Sequence, residues 1–69
     1  MEIEFISLYK LGVGFILVRY ADIITMEVTP LGHTRLEFGY GEHLIVEEDV
    51  FCILTKIRAA KELSENNQS

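Results

Sequence analysis

The sequence predicts an α+β fold: a small antiparallel sheet of four or five strands, built from two or more hairpins, with one C-terminal helix packed on it. Three observations carry this. Between Ile23 and Val46, short runs of alternating hydrophobicity are separated by Pro30, Gly32 and Gly39-Tyr40-Gly41, the punctuation of hairpins. From Val50 onward the apolar residues switch to helical spacing, as Val50, Ile53, Leu54 and Ile57. Between these two regimes stands Asp49, whose carboxylate suits the free amides of a first helical turn.

Taken in order, Glu2 to Lys10 reads as a strand in which Ile3 and Phe5 alternate with Glu2 and Glu4. The phase then slips to Ile6 and Leu8, which predicts either a bulge near Phe5 and Ile6 or burial of both faces. Leu11-Gly12-Val13-Gly14 supplies a turn. Phe15 to Arg19 follows as a short strand, apolar on both faces, a pattern that suits a central strand or one lying against a second subunit. Tyr20-Ala21-Asp22 forms a corner.

In the next strand, Ile24, Met26 and Val28 share one face and Thr25 and Glu27 the other, until Pro30 ends the ladder. The return strand places Thr34, Leu36 and Phe38 on one face and Arg35 and Glu37 on the other. His43 to Val46 pairs back along it, so Glu27 is expected beside Arg35, and Glu37 beside His43. Ahead of the helix, Glu47 and Glu48 place negative charge near the positive end of its dipole, and within it Phe51 is expected to broaden the apolar stripe. Residues 1–63 make a single domain. Residues 64–69 lack any hydrophobic side chain and read as a disordered tail.

Sixty-nine residues lie near the lower limit for a chain that folds on its own core. One cysteine excludes an internal disulfide, and no Cys/His spacing matches a zinc site. Yet 49% of the residues are hydrophobic, more than one helical stripe can cover, so the surplus is expected to bury against another copy or another protein. The surplus concentrates in Ile3 to Val18, which makes Phe5, Leu8, Phe15 and Leu17 the expected self-association residues of a dimer or larger homo-oligomer.

Six Lys and Arg against eleven Asp and Glu leave a net charge of −5, which repels a phosphate backbone unless the cations gather on one face. Glu2 and Glu4 after Met1 do not resemble a secretory signal, and the run Val13 to Val18, broken by Gly14, is too short to cross a bilayer. A cytoplasmic protein without membrane insertion is the expectation.

Candidate chemistry is sparse. His33 and His43 fall at opposite ends of a shared strand and do not converge as metal ligands. Cys52 lies between apolar neighbours and reads as a small buried or half-buried side chain, without the adjacent base a nucleophile needs. Glu47-Glu48-Asp49 reads as helix capping, and the Gly-x-Gly pairs as turns, since neither pair opens a helix nor carries a P-loop lysine. No catalytic, cofactor or metal residues are expected. Tyr40, at a hairpin tip, with Arg35 and His33, are the expected partner contacts.

Lys10-Leu11, Ile23, Thr25, Glu27 and Thr29-Pro30, continued by Gly41, Leu44, Val46, Glu48-Asp49-Val50 and Ile57, resemble the FlbD family of small flagellar-operon (swarming motility) proteins over Phe5 to Ile57. In that family a strand ending in Thr-Pro leads through a hairpin and a Val-rich strand to a closing helix. Leu11-Gly12-Val13-Gly14 here replaces an Asn-Gly turn. The resemblance implies a non-enzymatic regulatory accessory to motility; an unrelated bacterial or phage protein with the same ββ-α pattern is the alternative. Asp22-Ile23-Ile24 through Glu47-Glu48-Asp49 also looks like part of a LytTR-type DNA-binding domain, which reads DNA through basic loops. That likeness makes nucleic-acid binding through the hairpin of His33 and Arg35 the alternative function, opposed by the surrounding acids.

Overall fold

The computed structural model describes residues 3–66, with side chains through residue 64. Five strands and one helix follow in the order β1 (Phe5–Lys10), β2 (Gly14–Arg19), a 3-10 turn (Tyr20–Asp22), β3 (Ile23–Val28), β4 (Thr34–Phe38), β5 (His43–Val46) and α1 (Val50–Asn66). The strands form one antiparallel sheet in the spatial order β2-β1-β5-β4-β3, and α1 covers one face.

Turn chemistry sets the two hairpin blocks. Gly12 and Gly14 take φ of 78° and 126°, values that L side chains rarely adopt, and let β1 return as β2 in an unbroken register from Phe5↔Arg19 to Lys10↔Gly14. No bulge interrupts β1. Its phase is settled by burial: Ile6 and Leu8 face the helix and Phe5 faces out. β3, β4 and β5 form a second block, joined to β1 only through Lys10↔Val46 and the bonds that flank it, Leu11 N–H to Ile45 O (3.1 Å) and Glu47 N–H to Tyr9 O (2.9 Å).

β3 departs from simple alternation. Its register shifts between Ile23 and Thr25, so Ile23 pairs with Phe38 and packs against the core while Ile24 is pushed into solvent. Val28, at the strand's end, is exposed as well.

The core is the helix-facing side: Ile6, Leu8, Val18, Leu36, Phe38 and Val46 from the sheet, against Ile53 and Ala60 of α1, with Ile57 partly buried beside them. Spacings of four and three between Ile53, Ile57, Ala60 and the buried Ser64 keep one stripe of α1 on the sheet. That stripe is narrower than the sequence suggests. Phe51 does not broaden it but stands 80% exposed, and Leu54 is also on the open side. Asp49 caps the helix through Oδ1, which accepts the Cys52 N–H at 2.7 Å.

The expected tail from residue 64 is corrected in its first part. The helix continues to Asn66, and Ser64 is buried because its Oγ accepts the Ile3 N–H at 2.6 Å. Tyr20 OH donates to the Ile3 carbonyl at 2.7 Å, so both backbone groups of Ile3 are held. Residues 67–69 of the expected tail lie outside the described residues.

Candidate functional site

The face of the sheet opposite α1 is the candidate site, and strand alternation decides what it displays. β1 and β2 contribute the facing rows Phe5↔Arg19, Ser7↔Leu17 and Tyr9↔Phe15. Next come Ile45 and His43 of β5, Arg35 and Glu37 of β4, and Thr25 and Glu27 of β3. One face thus carries two chemistries side by side, an apolar half on β1-β2 and a charged half on β3-β4.

In the apolar half, Phe15 and Leu17 are 75% and 72% exposed and Phe5 is 50% exposed. Tyr9 meets the Phe15 ring edge-on, with centroids 5.0 Å apart and an interplanar angle of 88°. Ile45, 36% exposed, extends the patch towards the centre of the sheet. At the far end Arg19 pairs with Glu4 at 3.0 Å, with both side chains about half exposed, a geometry worth about 0–1 kcal/mol.

In the charged half, Glu27 lies opposite Arg35 and Glu37 opposite His43, the neighbours read from the sequence. The ion pair forms along the strand instead of across it: Arg35 Nη1 donates to Glu37 Oε1 at 2.8 Å, and Thr25 Oγ1 reaches the other oxygen at 3.4 Å. The hydrogen bond and positive charge of Arg35 hold the Glu37 carboxyl below its ordinary range, against some desolvation and with smaller help from Thr25 and His43. Beside this pair, an open groove of about 170 Å³ is lined by Arg35, Glu37, Phe38, Gly41, Glu42 and His43. Among the described residues, no group of three His, Cys, Asp or Glu side chains comes together as a metal would require.

The expected site residues separate. Phe5, Phe15 and Leu17 share the apolar half. Leu8 does not. It is fully buried under α1, because residues of its parity point to the helix, and it is corrected from a self-association residue to a core residue. The three expected partner contacts do not form one surface. His33 sits in the β3-β4 turn, where its N–H donates to Thr29 Oγ1 at 3.1 Å and its carbonyl accepts from Thr29 N–H at 2.8 Å. Arg35 lies on the outer face and Tyr40 in the opposite turn, stacked on Phe38 with centroids 5.5 Å apart. Cys52 is exposed on α1, which corrects its expected burial.

Sequence reading passed over Ile45 as part of the patch. The signal was present for Ile45, since Leu44-Ile45-Val46 is apolar on both parities and one parity had to face outward. Among the described residues no helix is long and apolar enough to cross a membrane. No protein-family model, curated protein or solved structure matches the chain.

Proposed function

We propose that this chain is a small, non-enzymatic interaction protein of the cytoplasm that associates with copies of itself through the β1-β2 hairpin. One observation supports this above the others: Phe15 and Leu17 lie side by side on one face, both nearly three-quarters exposed, with Phe5 and Tyr9 adjoining. Each such side chain removed from water contributes about 1.5–3 kcal/mol, so a few of them from each copy drive association without any covalent step. The resemblance to FlbD proteins makes motility the process served. Recognition of a nucleic acid finds no comparable support, because Arg35 is engaged by Glu37 and the chain carries a net charge of −5.

The test is solution mass by light scattering over a range of protein concentrations, for the wild-type chain and for Leu17→Glu. Leu17 is outside the core, so the variant keeps its fold. The wild-type chain is expected to gain mass with concentration and the variant to stay at the mass of one chain. A wild-type protein that remains a single chain throughout removes the proposal.

A further inference from the structure

β2, apolar on both faces, reads in sequence as a central strand or one lying against a second subunit, and it stands at the edge of the sheet. Ile16 and Val18 point to the helix side, Phe15 and Leu17 to the open face. The register also shows where its backbone points. In β1 the odd residues face away from β2, since Tyr9 N–H goes to Glu48, Tyr9 O accepts from Glu47 and Leu11 N–H goes to Ile45. Even residues therefore pair within the hairpin, and the N–H and C=O groups of Phe15, Leu17 and Arg19 point out from the sheet edge.

The two edges of the sheet are built differently. β3, the opposite edge, is interrupted by its register shift between Ile23 and Thr25, and Pro30 follows two residues beyond its end. Those are the devices that stop an edge strand from recruiting another. β2 has neither: its six residues run in continuous register, with Phe-Ile-Leu-Val in a row. An unblunted apolar edge strand is a template for a further strand.

We propose that the occupant of this edge is β2 of a second copy, paired antiparallel about a two-fold axis at Leu17, to give a continuous ten-stranded sheet. This rests on the self-association proposed above and specifies its geometry. In that register Leu17 exchanges both backbone hydrogen bonds with the partner's Leu17, and Phe15 lies opposite the partner's Arg19. The Arg19 guanidinium, half exposed and at the rim, then sits over an aromatic face. On the helix side Ile16 meets the partner's Val18, so both apolar faces of β2 continue into the other copy. The edge is self-complementary in backbone, shape and charge.

Amide exchange and a pair of variants test it. As protein concentration rises, the Phe15, Leu17 and Arg19 amides are expected to slow at least about tenfold, while the β3 amides keep their rates. Leu17→Pro removes the central N–H, which has no partner inside the single chain, so it is expected to weaken association at least about tenfold beyond Leu17→Ala, which keeps that N–H. If the wild-type chain never associates, this geometry and the proposed function fall together. If it associates while those three amides stay unprotected, or while Leu17→Pro matches Leu17→Ala, self-association stands and the edge pairing is overturned. The exchange measurement needs no variant, so a failure of Leu17→Pro to fold leaves the geometry open to refutation.

Discussion

Glu48 accepts the backbone N–H of Tyr9 with both carboxylate oxygens, each at 2.9 Å, and in doing so takes the place of a missing strand. β5 ends at Val46, where the chain turns towards the helix, so β1 loses its neighbour beyond the Lys10↔Val46 pair. Lys56, two turns along α1, completes the substitution: its Nζ donates to the Ser7 carbonyl and lies 3.7 Å from Glu48. A side-chain pair, Glu48 from the bend before the helix and Lys56 from α1, thus occupies backbone groups of β1 that β5 does not reach, and it stitches the hairpin block to the rest of the fold.

Replacement of Glu48 removes that acceptor from a site where its own side chain is only 12% exposed. Glu48→Ala is expected to destabilise the chain by about 1–3 kcal/mol, with Glu48→Gln losing less because its amide oxygen still accepts. Urea unfolding of the two variants checks the order. Equal stability of Glu48→Ala and wild type would show that water serves the Tyr9 N–H as well as the carboxylate does.

Thr34 fastens the same segment from beneath. It is fully buried in β4, and its Oγ1 donates to the Glu48 carbonyl at 2.7 Å. Thr34→Val keeps the shape and deletes the donor, for an expected loss of about 0.5–1.5 kcal/mol. Because both contacts meet at Glu48, the double variant Thr34→Val/Glu48→Ala is expected to depart from additivity by at least about 0.5 kcal/mol in a double-mutant cycle. Strict additivity would count against their acting as one unit.

The elements of this fold were legible where the chemistry is local. Pro30, the turn glycines and Asp49 each act within a few residues, and the hairpins and helix start lie where they indicate. What escaped was set by contacts distant in sequence. Both parities of β1 are apolar, so whether Phe5 or Leu8 faces outward depends on which side of the finished sheet receives α1. Ser64 reads as tail because its partner is Ile3, and Glu48 reads as a helix-dipole charge because its partner is Tyr9. The charged half of the outer face was readable through strand register, but the choice of Glu37 over Glu27 by Arg35 rests on side-chain reach along the strand, which register does not specify.

The opposite fates of Leu8 and Leu17 give a direct contrast, since one is fully buried and the other 72% exposed. Leu8→Ala opens a cavity beneath the helix and is expected to cost about 2–5 kcal/mol. For a chain of this length total stability is about 3–10 kcal/mol, so that loss takes a large share of it. Leu17→Ala, measured at a dilution where the chain is single, is expected to stay within about 0.5 kcal/mol of wild type. Thermal or urea melts of both variants decide the matter, and similar losses at the two positions would refute the assignment of β1 and β2 faces.

The Arg35–Glu37 pair predicts a pH response whose sign follows from its geometry. Arg35 lowers the Glu37 pKa in the folded chain, first through the 2.8 Å hydrogen bond and then through its charge. A carboxyl depressed on folding contributes stability that is present above the ordinary carboxylate range and is lost as pH falls through the lowered value. The pair is open to solvent, with Arg35 and Glu37 side chains 32% and 45% exposed, so the contribution is small and is screened by salt. Arg35→Gln keeps a polar side chain and removes the charge. In that variant the Glu37 midpoint, followed by side-chain carboxyl NMR, is expected to rise towards the ordinary value, and the part of the acid-induced loss of stability that Glu37 contributes to disappear. High salt is expected to move the wild-type midpoint in the same direction. A midpoint insensitive to both changes would mean that Arg35 does not hold Glu37 in solution.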